Sequence, residues 1–339
     1  MQYRYIGKSG LRVSPICLGT MTFGQMSSKE ESFAIMNKAY DTGINFFDNA
    51  EMYPVPPKEE LIGLSESIMG EWLASKPRES LIISTKVAGA ANGRFATPVR
   101  HKLAALDRFH IERGIEGSLK RLKTDYIDLY QIHWPDEVLP IEETLEALDR
   151  LVQSGKVRYI GTSNDTAYGL TKANEISRFK NLAKFQSIQN NFSLLNPRFF
   201  DELAKVCERE NISLLPFSPL AGGVLTGKYN DGSMPKGSRF EDYQGRNLPR
   251  LTQMINRFLS NKTLLASQEY AKIADEAGLS LTTMALAWSK SFDFVASTIV
   301  GARFASQLDE SLKALELDLS NDVLQACAQV QEDILYPMG

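Results

Sequence analysis

The chain has 339 residues, 43% of them hydrophobic and 23% charged, a globular balance that excludes a disordered or collagen-like polymer. A net charge of −3 supplies no concentrated basic surface, so neither nucleic acid nor an anionic membrane is expected as a partner. No apolar run approaches the roughly 20 residues a bilayer span needs. The N-terminal MQYRYIGKSGLRVSPICLG lacks the pattern of a secretory signal. Cys17, Cys207 and Cys327 are far apart and without CxxC spacing, which suits free thiols in a reducing cytoplasm and gives no zinc site or disulfide frame.

In chain order, YRYIGKSGLRVS predicts a small hairpin turning at Lys8-Ser9-Gly10 and plugging one barrel end. Eight β-type runs follow: ICLGT from Ile16, NFFDNA from Asn45, LIISTKV from Leu81, YIDLYQIH from Tyr126, VRYIGTSN from Val157, FQSIQNN from Phe185, ISLLPFSP from Ile212 and FVASTIVGA from Phe294. Most are apolar without clean alternation, as parallel strands covered on both faces are. Helical spacing separates them. In KEESFAIMNKAYDTG, Phe33, Ile35, Met36, Ala39 and Tyr40 make one apolar face and Gly43 stops the helix. In IEETLEALDRLVQSGKV, Ile141, Leu145, Leu148 and Val152 align and Gly155 caps. Asp165-Thr166 and Asn196-Pro197 start the fifth and sixth helices. Eight βα units predict an α/β protein of one domain, residues 1–339: a (β/α)8 TIM barrel with an N-terminal β-hairpin. The stretch from Leu220 to about Asn261, rich in Gly, Pro and Arg, breaks the rhythm and reads as a long binding loop or lid after the seventh strand.

In such a barrel the chemistry belongs at the C-terminal ends of the strands. There stand Asp48, Lys86, His133, Ser163, Asn164, Gln189 and Ser218, with Tyr53 five residues past Asp48. Each alone has a dull reading: a turn-capping Asp, a solvated Lys, a packed His or Tyr. A carboxylate, an amine, an imidazole and a phenol around one rim suit a single reaction. Reducing a carbonyl by hydride transfer puts charge on its oxygen, which then takes a proton. A phenol with a pKa near 10 gives up its proton reluctantly. A lysine about 4 Å away supplies on the order of 4 kcal/mol at an effective dielectric of 20, roughly three pKa units. Lys86 is thus expected to bring Tyr53 into range, Asp48 to keep Lys86 charged, and a neutral His133 to donate to the substrate oxygen.

With these residues in view, the chain resembles the aldo-keto reductases. GINFFDNAEMY (43–53), IISTKV (82–87), YIDLYQIHWPD (126–136), GKVRYIGTSN (155–164) and PFSPLAGGVLTGKY (216–229) are similar to that family's signatures, in its order and at its spacing, over essentially the whole chain. AEMYPVPP, LGTMTFG and IQNNFSLLN look closest to the bacterial Tas-type branch, with voltage-gated potassium-channel β subunits more distant.

The resemblance implies a catalytic tetrad of Tyr53 as general acid, Lys86 and Asp48 as its tuners, and His133 as carbonyl orienter. It implies NADPH/NADP+ as cofactor, with hydride leaving its pro-R face. Gly19, Thr20 and Met21 fall in the cofactor-binding set. Ser163, Asn164 and Gln189 would hold the carboxamide, and Phe217 stack on the nicotinamide. Ser218, Pro219, Leu220, Gly222 and Lys228 would form the pyrophosphate loop. The adenosine end is matched by GSRF and GARFASQLDES, which nominate Arg239, Gly301, Arg303, Gln307 and Glu310, with Arg303 forking onto a 2′-phosphate. Two departures stand out: DNA at 48–50 in place of DTA, and a short segment after His133 where some Tas-type chains carry a long insertion.

The implied function is NADPH-dependent reduction of aldehydes and ketones, reversibly, with a small-molecule carbonyl as the partner. Phe23, Tyr53, Trp134 and Tyr243 would line an apolar aromatic pocket; no pattern in the chain specifies an oligomer. A cofactor-binding, redox-sensing regulatory module is the alternative from another class. A barrel enzyme forming a Schiff base at Lys86 is a third, opposed by Asp48, which favours the protonated amine.

Overall fold

The computed structural model describes residues 1–89 and 99–338. The hairpin forms where the turn residues put it: β1 (Arg4–Tyr5) pairs antiparallel with β2 (Arg12–Val13), Arg4 opposite Val13. Gly7 has φ +54°, and a Cβ there would stand 2.6 Å from the Gln186 carbonyl oxygen, so only glycine lets the hairpin seat this closely.

Eight parallel strands follow: β3 (Ile16–Gly19), β4 (Phe46–Asp48), β5 (Ile82–Val87), β6 (Ile127–Ile132), β7 (Val157–Ser163), β8 (Phe185–Gln189), β9 (Ser213–Leu214) and β10 (Thr298–Val300). They lie side by side in the order β10-β3-β4-β5-β6-β7-β8-β9, each within one of the eight runs expected from sequence. Backbone bonds also join the two outer strands' surroundings: Leu214 N donates to Phe294 O at 2.7 Å, Ala296 N to Leu214 O at 3.1 Å and Ile299 N to Pro216 O at 2.8 Å. With helices around this sheet, the architecture is TIM-barrel-like.

Helices begin on side-chain caps. Ser28, Asp107, Thr166, Ser260 and Ser280 each accept a backbone N–H three residues on, opening Lys29–Asp41, Arg108–Leu122, Ala167–Lys180, Asn261–Glu276 and Leu281–Lys290. Such caps contribute about 1 kcal/mol each. Gly43 and Gly155, at φ +92° and +75°, follow the ends of Lys29–Asp41 and Ile141–Gln153 as the sequence requires. Asn196-Pro197 opens a 3₁₀ turn, Arg198–Phe200, before the helix Leu203–Glu210 starts.

The inward faces explain where polar residues can be. Ile6, Leu11 and Val13 of the hairpin segment pack with Cys17, Phe46, Ile82, Leu129, Leu215, Ala296 and Ile299 into one buried apolar cluster. Side chains two residues apart share a strand face. Thus Phe46 leads to Asp48, Ile82 to Ser84 and Lys86, and Leu129 to Gln131, each step running from the apolar plug to the C-terminal end.

The segment after β9 differs from the expected loop. It holds a 3₁₀ turn, Ala221–Thr226, and helices Arg239–Gly245 and Pro249–Phe258. Phe240, Tyr243, Leu251, Ile255 and Phe258 are buried in the main core. Their spacing of three to four residues is a helical stripe, outweighed in the sequence by the surrounding Gly, Pro and Arg. No described helix is long and apolar enough to cross a membrane.

Candidate active site

Strand register assembles the charged centre. Asp48 ends β4 opposite Ser84 of β5, and Lys86 of β5 stands opposite Gln131 of β6. Lys86 Nζ donates to Asp48 Oδ2 at 2.5 Å and to the Asn49 carbonyl at 2.7 Å, and the lysine is fully buried. Asp48 Oδ1 accepts from Ser84 Oγ, from Gln189 Nε2 at 3.1 Å and from Gln131 Nε2 at 3.3 Å. A carboxylate ringed by donors is fixed in place. Burial pushes the Lys86 pKa down, but Asp48 and Tyr53 outweigh it and the net direction is upward, so Lys86 is held as ammonium. This disfavours Schiff-base chemistry, which needs the free amine.

Tyr53 is carried in by the turn after β4, its N–H on Ala50 O at 3.0 Å, and its ring lies 5.2 Å from Lys86 Nζ. Here the structure corrects the expected tuning. Burial raises the Tyr53 pKa, Lys86 opposes it, Asp48 adds to it, and the net direction is upward. Burial is the largest cause and outweighs the lysine, whose effect Asp48, 2.5 Å from it, partly offsets. The phenol is therefore firmly protonated. His133 follows β6; its ring meets Tyr53 edge-on at 5.7 Å and stacks on Trp134 at 3.8 Å. Burial first, and Lys86 second, push its pKa well below the usual histidine value, so the imidazole is neutral. Its Nδ1, with Asn49 Nδ2 and Gln131 Oε1, is buried with no partner among the described residues.

Beside this centre, Ser163 Oγ donates to the Gln189 carbonyl at 2.8 Å, and Asn164 Nδ2 to the His133 carbonyl at 3.0 Å and to Ser163 Oγ at 3.1 Å. Asn164 has φ +56°. These amides and hydroxyls form one polar cluster, in which Gln189 is also tied to Asp48. Phe217 and Ser218 are half-buried on the segment after β9, bridged to Asn191. Backbone at Ser218, Ala221, Gly222 and Gly223 is left-handed (φ +46° to +102°), a run of turns in which Ala221 N–H donates to Ser218 O and Gly223 N–H to Leu220 O, both at 2.8 Å. Leu220 packs against the core and Pro219 is buried.

A cluster of cations sits past that loop. Burial lowers the Lys228 pKa, and Arg239 and Arg303 lower it further. Arg303 Nη1 donates to the Gly237 carbonyl at 2.7 Å, while its Nε is buried with no partner among the described residues. Gln307 Oε1 accepts from Arg303 N at 2.8 Å. Three mutually repelling cations and an orphaned guanidinium N–H fit the phosphates of a dinucleotide. Glu310 faces Ser280, Thr283 and Lys313. Gly301 keeps β10's end close to β3: a Cβ there would meet Gly19 O at 3.4 Å, and one on Gly19 would stand 2.7 Å from Ile299. Thr20 is fully buried behind Asp48, its Oγ1 donating to the Asp48 carbonyl at 3.0 Å.

The mouth is apolar. Ala50, Met52, Tyr53, Ala88 and Val99 cluster with Met21, Val55, Ile62 and Trp134. Trp134 and Met21 both pack against this cluster. Phe23 and Tyr243 do not: both are buried in the main core, Phe23 as its loop folds back on Thr20 and Tyr243 against Phe240. Sequence reading missed Ser84 and Gln131, although period-2 alternation from Lys86 and barrel register point to both. It also missed a buried pair: Glu51 accepts from Arg100 Nη1 at 2.7 Å and Nη2 at 2.9 Å.

Residues 15–332 match the model of the aldo/keto reductase family. The chain is 40% identical to "Protein tas" of Escherichia coli (strain K12), covering 99% of both chains. It is 36% identical to a probable voltage-gated potassium channel subunit beta of Arabidopsis thaliana, over 94% of this chain and 92% of the relative. It is 35% identical to the L-glyceraldehyde 3-phosphate reductase of Escherichia coli (strain K12), over 93% and 88%. The chain therefore belongs to the aldo/keto reductase family, on its Tas-type branch, and is an oxidoreductase of carbonyl and alcohol groups.

Proposed function

We propose that the protein is an NADPH-dependent reductase of small apolar aldehydes and ketones, working reversibly from a single closed (β/α)8 barrel over residues 1–339 in the cytoplasm. The observation that carries this reading is the buried Asp48–Lys86 pair beneath Tyr53, with neutral His133 at its edge. Bound NADPH supplies the hydride. Ser163, Asn164 and Gln189 would hold the carboxamide, Phe217 would flank the ring, Ser218 to Gly222 with Lys228 would take the pyrophosphate, and Arg239 and Arg303 the 2′-phosphate. Tyr53, protonated because its phenolate is costly in a buried site, gives its proton to the carbonyl oxygen as charge develops there. The Lys86 ammonium stabilises the phenolate that this leaves, and Asp48 keeps Lys86 charged and aimed. His133 orients the carbonyl by a neutral N–H. The apolar wall around Trp134 excludes water and favours uncharged carbonyl compounds.

The test is a panel of aldehydes and ketones followed by NADPH absorbance, with NADPH and NADH dissociation constants measured beside it. No turnover of any carbonyl, or equal constants for the two cofactors, sinks the reading. The likeness to a channel β subunit supports a second reading, a cofactor-bound sensor with slow chemistry. A burst of one turnover followed by stalled cofactor release would select it.

A further inference from the structure

Two residues before Tyr53, Glu51 is buried to 3% exposure with every acceptor in use. Its carboxylate takes the Ala88 N–H at 2.5 Å and both ends of the Arg100 guanidinium, at 2.7 and 2.9 Å. Its own N–H donates to the carbonyl of Lys86 at 3.1 Å. Glu51 thereby ties the turn that carries Tyr53 to the strand that carries Lys86. Arg100 lies on the far side of the mouth and reaches back to the Ala88 carbonyl at 2.7 Å, bringing Ala88 and Arg100 together. Next to it, Val99 packs with Ala50, Met52, Tyr53 and Ala88. Arg100, His101 and Lys102 run consecutively through left-handed backbone, at φ +49°, +56° and +68°. Such a run is held only where side chains over-determine it, and the forked pair on Glu51 is the strongest polar contact that Arg100 makes.

The nearest charged and titratable neighbours, Arg121 and Tyr130, feel the Glu51 charge but make no hydrogen bond to it. Arg121 of Arg108–Leu122 donates its Nε to Glu66 at 2.7 Å, and Thr85 Oγ1 donates to the other oxygen of Glu66 at 2.6 Å. Tyr130 of β6 has its hydroxyl buried with no partner among the described residues. Glu51 and Arg100 thus form a clamp in which the guanidinium is the one charged side chain hydrogen-bonded to the carboxylate among the described residues, while Arg121 and Tyr130 lie close enough to feel its charge.

We infer that Arg100, acting through Glu51, is a positioning residue: it fixes the Ala50–Tyr53 turn on β5 so that Tyr53 stands over Lys86, and it seats Val99 as a wall of the carbonyl pocket. The inference rests on the reductase reading for its kinetic consequence. A forked arginine suits this task because it sets two distances at once, and a misplacement of about 1 Å near a reacting centre costs about 10²-fold in rate.

The experiment compares wild type with Arg100→Leu, Arg100→Lys and Glu51→Gln, in two readouts. Hydrogen exchange without cofactor follows the amides of Glu51 and Val55, which bond to Lys86 O and Met21 O. Stopped-flow single turnover with NADPH follows aldehyde reduction. Arg100→Leu and Glu51→Gln are each expected to speed exchange at these amides at least tenfold and to slow reduction about 10²-fold, with the NADPH dissociation constant within twofold of wild type. Arg100→Lys, which keeps the charge but not the fork, falls between. Placed in a Tyr53→Phe background, Arg100→Leu changes the residual rate less than twofold, because its effect passes through that hydroxyl. Unchanged protection in both Arg100→Leu and Glu51→Gln overturns the clamp, as does an undiminished effect of Arg100→Leu in the Tyr53→Phe background. Should Arg100→Leu fail to fold, the near-isosteric Glu51→Gln decides alone. A wild type that reduces no aldehyde defeats the reductase reading instead, and the exchange comparison still decides whether the clamp exists.

Discussion

The two ends of the sheet solve the same problem in opposite ways. Each has a buried aspartate held by a cation. At the N-terminal end Asp128 accepts from Arg78 at 2.7 Å, Arg158 at 2.6 Å and the Ile83 N–H at 3.0 Å, on the strand face opposite Leu129, which packs with Ile6, Leu11 and Val13. Its arginines reach toward solvent, with Arg158 44% exposed. At the C-terminal end Asp48 holds Lys86, which is 0% exposed, and around them Asn49 Nδ2, Gln131 Oε1 and His133 Nδ1 lack partners among the described residues. At one end the buried carboxylate has its donors in place. The other keeps polar groups unspent at a cost, and unspent buried groups are what a reacting substrate can use. The same fold element serves stability at one end and chemistry at the other.

The comparison breaks if a change at the rim costs stability or a change at the base costs rate. The largest effect is expected at Tyr53: Tyr53→Phe removes one hydroxyl, and single-turnover aldehyde reduction should fall about 10²–10⁴-fold. Its urea midpoint should stay near wild type. Near-wild-type single-turnover reduction by this variant would make the proposed acid wrong.

At the base the outcome should invert. Asp128→Ala leaves the Ile83 N–H and the partly buried Arg78 without their acceptor, and should cost about 3 kcal/mol of unfolding free energy by urea titration. Arg158, reaching solvent, adds little. The reduction rate of the folded fraction should be unchanged; a large loss of rate would tie the two ends together.

Arg303→Ala sharpens the role of the cation cluster. One charge-assisted contact is worth about 1.5–3 kcal/mol, so NADPH affinity should drop tenfold or more while NADH affinity holds. Equal weakening of both would place Arg303 away from the 2′-phosphate.

The smallest effect is a pH slope. The His133 pKa lies well below the usual value in the folded protein, so below about pH 6.5 the unfolded chain takes up a proton that the folded chain refuses. Stability from this group is present above that pH and is lost as pH falls toward the folded pKa, by about 1.4 kcal/mol per unit. Urea titrations at pH 7, 6 and 5 should show this slope in wild type and less of it in His133→Asn. Identical slopes would mean the imidazole is charged when buried.

Much of this was legible along the chain because its causes are local. A threonine side chain caps a backbone N–H three residues on by local geometry, so Thr166 marks the start of its helix as the sequence predicted. Apolar runs bounded by polar ends locate the strands, and alternation by two carries each inward face from Phe46 to Asp48 and from Ile82 to Lys86. The residue types at those ends pointed to carbonyl reduction, and the family match bears this out as far as an oxidoreductase of carbonyl and alcohol groups.

What lay out of reach depends on distance and on burial. The Arg100 clamp joins residues 49 apart, and Gln131 reaches an aspartate 83 positions away, contacts that no local period encodes. Phe23 and Tyr243 carry the same aromatic signal as Trp134, but only the packed core decides that they are inside it. The direction of the Tyr53 shift is of the same kind. The sequence supplies the lysine that lowers it, whereas the desolvation that raises it, and the Asp48 that partly offsets the lysine, exist only once the chain has closed around the phenol.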